Sequence, residues 1–366
     1  MRILVHGLAG DKLGGIETFI LNMEKFMSDD MVFDYVLETV PEKNSYVQGK
    51  GEIDYIAPKH SMPVNLRDWN RLLTGKKGID EAVYFNMYSL AWLLPAMLCR
   101  LRGYRVIIHA HNNQLHDCGF AQKALHNINR QIQKCMKITR LTNSELSTEF
   151  FFDNKPATMI YNAVDTDRFS FDPEARHSLR VKLGFEDKNV YGFSGRIAYQ
   201  KNPLFLIDIF AEIAKLDDKA AFLVCGDGDL MEKVQAKAKE RKLNICFPGA
   251  VKNVQDYYQA MDCFFLPSRF EGLGIVLIEA QCAGLPCLTS ADVVPKTAQV
   301  SEKLLKFVPL SESPEVWAQK AAERLKTNFD RSKGSEYVRR AGFDITKEAL
   351  RLENVLLCGI EEKNNE

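Results

Sequence analysis

Two stretches of the chain carry residue types that could handle a charged substrate. One is Gly195-Arg196-Ile-Ala-Tyr-Gln200-Lys201-Asn202-Pro203, which follows the apolar run Val190–Ser194. The other is Pro267-Ser268-Arg-Phe-Glu271-Gly272-Leu273-Gly274-Ile275-Val-Leu-Ile-Glu279, which follows the apolar run Cys263–Leu266. Arg196 and Lys201, leaving one strand end, can both turn towards a single anion. Glycines ahead of an apolar helix start leave backbone N–H groups bare, and the helix dipole favours negative charge there. Glu271 lies in the loop and Glu279 just over a turn past Gly274, within reach of a ribose beside bound phosphates. A carboxylate can accept from two vicinal hydroxyls. Two cations, a helix N-terminus and two carboxylates together suit a nucleotide diphosphate that carries a sugar.

Three further places are less specific. The run Ile3–His6 leads into Gly7-Leu-Ala-Gly10-Asp-Lys-Leu-Gly14-Gly15-Ile-Glu17 and then a helical pattern. This is neither G-x-G-x-x-G nor a P-loop, so it reads equally as an anion-binding helix start or as a tight turn. Val106–His109 ends in His109-Ala-His111-Asn112, with His109 and His111 on one face. At a strand's carboxyl end His111 could bond a sugar hydroxyl or move a proton, while His109 reads as structural. Residues 92–140 hold eight Lys/Arg against one acid, Asp117, a local +7 that the rest of the chain balances at −7. Within them Lys123, Asn127, Arg130, Lys134 and Lys137 form a basic row, and Ala121, Leu125, Ile128, Ile132 and Cys135 an apolar one. Such a helix can touch an anionic membrane or a diphosphate-bearing acceptor; the alternative is a solvated face. Asp227-Gly-Asp229 and Asp165-Thr-Asp167 fit the low-information D-x-D pattern, and a catalytic metal is not expected from them.

The elements that must position these residues follow from the hydrophobic pattern. Short apolar runs at Ile3–His6, Phe33–Leu37, Ile53–Ile56, Ala82–Phe85, Val106–His109 and Ile138–Leu141 alternate with amphipathic stretches. A second series runs through Val190–Ser194, Ala221–Cys225, Asn244–Phe247, Cys263–Leu266 and Pro286–Thr289. The alternation predicts two doubly wound α/β domains with parallel sheets. Their junction falls near the turn-rich Asn162–Asp167. A chain of 366 residues, 46% hydrophobic and 26% charged, is neither disordered nor a coiled coil. Its zero formal charge argues against a wholesale nucleic-acid binder. Nine Cys without a C-x-x-C pair read as reduced thiols of a cytosolic protein. The uncharged stretch Ala82–Cys99 is broken by Asn86, Ser89 and Pro95, and reads as a buried strand and a packed helix rather than a membrane span. The N-terminus turns glycine-rich too early for a signal peptide, and the tail 361–366 reads as solvated.

Gly14-Gly15-Ile-Glu17, Asn162-Ala-Val-Asp165, Gly195-Arg196 with Gln200-Lys201-Asn202, Gly226-Asp-Gly228 and the spaced Glu271 and Glu279 resemble the retaining GT-B glycosyltransferases of family 4. The run from Glu271 to Cys287 looks most like the subgroup that builds bacterial capsules and exopolysaccharides. The resemblance implies two Rossmann-like domains facing a central cleft. Residues 1–163, rejoined by 344–366 through a C-terminal helix, would bind acceptor, and residues 164–343 would bind donor. It implies transfer of a sugar from a nucleotide-diphosphate sugar, with a UDP-sugar expected, to a hydroxyl of a lipid-linked saccharide. Arg196 and Lys201 would neutralise the departing diphosphate, and Glu271 and His111 would hold the donor sugar. Gly15, Gly274 and Ile275 would bind the diphosphate through their N–H groups, Gly14, Ser268, Gly272 and Leu273 would belong to the donor site, Glu279 would take the ribose, and Val251 would lie at the base. Lys123, Arg130, Lys134 and Lys137 would face the acceptor or the inner leaflet of the cell membrane. No cofactor, resident metal or nucleic-acid partner is implied, and the enzyme would be cytoplasmic and peripheral. The family's Asn-Gly is Asn162-Ala163 here, and its Glu-Gly-Phe-Gly is Glu271-Gly-Leu273-Gly. A GT-B epimerase or phosphorylase, and a non-catalytic nucleotide-sugar-binding or scaffold protein, are the competing readings. A nicotinamide-dependent dehydrogenase is disfavoured by the missing G-x-G-x-x-G.

Overall fold

A computed structural model describes residues 1–11, 14–40, 47, 49–78, 80–113, 115, 118–326 and 329–358. It divides into two compact units: residues 1–162 with 345–366, and residues 163–344.

The first unit is a seven-stranded parallel sheet. Its strands are β1 Arg2–His6, β2 Val32–Leu37, β3 Ile53–Tyr55, β4 Asp80–Met87, β5 Arg105–Ala110, β6 Thr139–Thr142 and β7 Thr158–Met159. Their spatial order is β3-β2-β1-β4-β5-β6-β7. The second unit is a six-stranded parallel sheet of β8 Asn189–Ser194, β9 Ala220–Cys225, β10 Ile245–Gly249, β11 Cys263–Leu266, β12 Cys287–Ser290 and β13 Leu305–Val308, ordered β10-β9-β8-β11-β12-β13. The central strands are apolar along their length because helices cover both faces. Ile3, Leu4 and Val5 of β1 and all four residues of β11 are fully buried. In each sheet the strand order reverses once, between β1 and β4 and between β8 and β11. Open α/β sheets bind ligands at the carboxyl ends of the strands beside such a reversal.

The apolar runs of the sequence all appear as strands. Two edge strands, β7 and β13, were not anticipated. Thr158-Met159 is too short to show a pattern, and β13 carries an exposed Lys306. The stretch Ala82–Cys99 separates into β4 and the helix Leu94–Leu101. Among the described residues no helix is long and apolar enough to cross a membrane. The last helix, Ile345–Cys358, packs in the first unit against the helix Gly15–Phe26. Glu353 accepts from the Ser28 N–H at 3.0 Å, and Glu348 accepts from the Tyr161 N–H at 3.0 Å. The expected solvated tail, 361–366, lies outside the described residues, as does Asp117.

Candidate functional site

In the second unit the loop after β8 rests on the loop after β9. The Gly195 N–H bonds the Cys225 carbonyl at 3.0 Å, the Ile197 N–H the Asp227 carbonyl at 2.9 Å, and the Leu230 N–H the Ile197 carbonyl at 3.0 Å. The two backbones are so close that a Cβ on Gly226, whose φ is +139°, would stand 1.9 Å from the Gly195 oxygen. One at Gly228 would stand 2.5 Å from the Ile197 oxygen. The Gly226-Asp-Gly228 segment is thus a bed for the Gly195-Arg196 loop. Asp229 forms an ion pair with Arg196 at 3.4 Å, and both side chains are exposed. Of the other D-x-D pair, Asp165 accepts from the Arg168 N–H at 3.0 Å and Asp167 pairs with Arg339 at 2.5 Å.

The single turn Tyr199–Lys201 is strapped to the loop after β11. The Arg269 N–H bonds the Gln200 carbonyl at 2.7 Å, and the Gln200 amide donates to the Phe270 carbonyl at 3.0 Å. The Arg269 guanidinium donates to Asn202 Oδ1 at 2.9 Å and lies 4.7 Å over the Tyr199 ring. This strap delivers Lys201 Nζ to Glu271 Oε1 at 2.6 Å, with the two side chains 14% and 5% exposed. The Ser268 hydroxyl donates to the same oxygen at 2.6 Å, while the Ser290 hydroxyl holds the Ser268 carbonyl at 2.7 Å. Ser268 is fully buried. Arg196 and Lys201 are therefore each matched to a different carboxylate, Asp229 and Glu271.

Gly272 and Leu273 turn the chain into Gly274. With φ +77°, Gly274 caps the helix Ile275–Cys282 in a left-handed conformation that favours glycine. On that helix Glu279 Oε2 accepts from the Tyr258 hydroxyl at 2.8 Å. Burial pushes the Glu279 carboxyl up, opposed by the Tyr258 hydrogen bond and by Arg168 and Lys201. Tyr258 is fully buried, and Ser194 at the end of β8 also bonds its hydroxyl. Val251 is half-buried and follows Gly249, which ends β10 with φ +76°. Tyr258, Arg269 and Ser290 were missed in the sequence, where nothing local links them to the glutamates.

In the first unit Gly14 caps the helix Gly15–Phe26. The buried Glu17 accepts from the Gly14 N–H at 2.9 Å and the Ala9 N–H at 2.6 Å, so its carboxylate sets the glycine loop. A Cβ on Gly15 would meet open space. Asn86 donates to the His6 carbonyl at 3.5 Å, which turns its oxygen to His111 Nε2 at 2.8 Å. His111 then carries its proton on Nε2 and a lone pair on Nδ1. Burial pushes it down to about 3, so the ring is neutral. His109 is fully buried, bonds the Tyr84 hydroxyl at 2.6 Å and packs 4.1 Å from His111. A cavity of about 720 Å³ opens at the carboxyl ends of β1 and β4, lined by His6, Glu17, Glu38, Lys59, Asn86 and Tyr88 among others. On the helix Phe120–Ile132 and the turn after it, Lys123 and Lys137 are exposed, Arg130 is half-buried, and Lys134 pairs with Asp153. The apolar row is not packed inward: Leu125, Ile128 and Ile132 are exposed.

Residues 175–341 match the family model described as glycosyl transferases group 1. The chain is 24% identical to EpsF of Bacillus subtilis (strain 168), named as a candidate glycosyltransferase, over 99% of this chain and 98% of that one. It is 30% identical to the Escherichia coli UDP-Gal:alpha-D-GlcNAc-diphosphoundecaprenol alpha-1,3-galactosyltransferase, over 45% of this chain and 41% of that one. Among solved structures, Anabaena HepE in complex with UDP superposes with a TM-score of 0.77 at 16% identity, over 97% of this chain and 99% of that one.

Proposed function

We propose that this chain, whose residues 175–341 match the group 1 glycosyl transferase model and whose two parallel sheets have the GT-B fold, is a retaining transferase that moves the sugar of a UDP-sugar onto a hydroxyl of a lipid-linked saccharide. The observation that carries the reading is the buried Glu271, gripped by Lys201 and Ser268 beside the Gly274 helix start at the β8/β11 reversal. A buried carboxylate with its position set by two donors is built to accept from sugar hydroxyls. The adjacent cation and bare N–H groups of Gly274 and Ile275 suit phosphate oxygens. Glu279 takes the ribose, with the base near Val251. Support for the donor and acceptor classes comes from the galactosyltransferase and HepE names, and for polysaccharide synthesis from the sequence resemblance.

In this reading the bond from the anomeric carbon to the diphosphate breaks as the acceptor oxygen bonds that carbon on the same face. The acceptor's proton passes to the leaving phosphate oxygen. Arg196, Lys201 and the helix start stabilise the charge on the leaving group, the electrostatic contribution that usually dominates such catalysis, and no resident metal is called on. His111, held neutral, serves as a hydrogen-bond partner to a sugar hydroxyl rather than as a cation. The first unit takes the acceptor, and Lys123, Arg130, Lys134 and Lys137 meet the anionic inner leaflet.

Donor binding is tested by thermal shift with nucleotide diphosphates and their sugars. UDP or its sugars at a hundred times Kd should stabilise the protein by about 2.7 kcal/mol through mass action. A chain stabilised by no nucleotide overturns the reading. Arg196→Ala and Lys201→Ala should each lower transfer by orders of magnitude with folding intact; near-normal rates in both would remove the site. Product analysis without acceptor separates transfer from epimerisation.

A further inference from the structure

Two hydrogen-bond acceptors face each other in the first unit with no donor between them. His6 ends β1, and its Nδ1 donates to the Val36 carbonyl of β2 at 3.0 Å. A carbonyl can only accept, so Nδ1 carries the proton and the neutral ring keeps its lone pair on Nε2. The ring is set edge-to-face against Trp69 and Phe85, with centroids 5.2 and 5.7 Å away. Nε2 lies 3.6 Å from Glu38 Oε1, too far for a hydrogen bond. Glu38 follows β2, and its other oxygen accepts from the Lys59 N–H at 3.2 Å. Burial pushes the His6 ring below the ordinary imidazole value, against the pull of Glu38. A neutral Nε2 and a carboxylate oxygen therefore stand side by side, and among the described residues neither atom has a hydrogen-bond donor.

Both residues line the cavity of about 720 Å³ at the carboxyl ends of β1 and β4. Their side chains are 13% and 21% exposed, confined but within reach of a ligand. Two other polar residues of the cavity are already engaged, Glu17 with the Gly14 and Ala9 N–H groups and Asn86 with His111. The pair is therefore the place where a ligand must supply hydrogens. A metal ion does not fit, because among the described residues no three His, Cys, Asp or Glu gather as ligands. A phosphate or carboxylate would meet Glu38 charge to charge. Two neighbouring hydroxyls give one hydrogen to Nε2 and one to the carboxylate. Tyr88 and Trp92 of the same cavity offer rings to the apolar face of a pyranose. We infer that the His6–Glu38 pair is a subsite that reads a vicinal diol on a neutral sugar ring of the acceptor, and so selects which saccharide is extended. The inference deepens the transferase reading above and rests on it.

The probes are the methyl glycosides of glucose, galactose and mannose, each presented to the full chain with excess UDP and read by saturation-transfer NMR. At least one glycoside should bind wild type with UDP in place. Glu38→Gln is the decisive variant. The Lys59 N–H holds the amide oxygen, so the amide nitrogen turns to His6 Nε2 and donates to it, filling the slot. Glycoside binding should then fall by roughly tenfold or more. The melting temperature should hold or rise, and the thermal shift with UDP should persist. A carboxylate that only braced the fold would instead melt lower on this change and leave the sugar bound as before. Glu38→Ala removes one acceptor without filling the slot, and should also weaken glycoside binding with the UDP shift intact. Glycoside binding equal to wild type in both variants, glycosides displaced by UDP, or no glycoside bound by wild type overturns the inference. Absence of a UDP shift in wild type instead strikes the transferase reading, so the two failures are distinct.

Discussion

At the residue scale, the pairing of Tyr258 with Glu279 makes the proposed ribose site sensitive to pH. The Tyr258 hydroxyl stabilises the ionised carboxylate that burial opposes. Because Glu279 titrates above the usual carboxylate range, its acceptor form is lost as pH falls through that raised value. Nucleotide affinity should therefore weaken on the acid side. Tyr258→Phe removes one donor and lifts Glu279 further, so the acid limb should move to higher pH. Losing a buried hydrogen bond to a charged group costs about 2 kcal/mol, or about 30-fold in UDP affinity. The measurement is UDP affinity by calorimetric titration from pH 5 to 8, with steady-state kinetics beside it. KM should rise and kcat should hold. An unchanged pH profile would reduce Tyr258 to a packing role.

At the scale of elements, the bed under the Gly195-Arg196 loop is the most exacting piece of backbone. Gly226→Ala would drive a methyl into the Gly195 carbonyl at a φ that L-residues avoid. It should cost at least about 2 kcal/mol and displace Arg196, measured as a lower melting temperature with transfer nearly lost. A variant with wild-type melting would contradict the packing described here. The same place divides what the sequence can tell from what it cannot. Gly226 and Gly228 stood out as glycines, and the strand, loop and helix starts around Arg196, Lys201, Glu271 and Glu279 were legible as strand ends carrying polar residues. That Gly226 is required by a backbone some thirty positions earlier, or that Arg269 straps Gln200, depends on strands adjacent in space but distant in sequence. The helix Phe120–Ile132 marks the opposite limit. Its two rows are plain in the sequence, but which side meets the protein is not: His126 bonds the Leu90 N–H and the Phe150 carbonyl and Asn129 the Leu90 carbonyl, while Leu125, Ile128 and Ile132 stay exposed.

At the scale of the whole molecule, the titratable rings are unevenly shared. His6, His109, His111 and His126 all belong to the first unit, and burial lowers each below the ordinary imidazole value. The unfolded chain then binds more protons than the folded one below about pH 6.5. This contribution to stability is fully present above that pH and is lost as pH falls towards the folded values, about 3 for His111. Acidification from pH 7 to 5 should lower the melting temperature of the first unit by several degrees more than that of the second. Trp69 and Trp92 report the first unit and Trp317 the second, so tryptophan fluorescence of Trp317→Phe beside scanning calorimetry separates them. Equal acid sensitivity of the two units would show that these rings are not held neutral.

The return of Ile345–Cys358 to the first unit has a consequence for how the molecule is made. The chain leaves that unit at residue 162 and comes back only at residue 345, so the second unit is an insertion within the first. During synthesis all six strands of the second unit emerge before the helix that supplies Leu352, Leu356 and Glu353 to the first. The second unit can therefore reach its native state on the ribosome, while the first must wait until residues 345–358 have emerged. A stop codon placed before Ile345 would spare the second unit and leave its older neighbour unfinished.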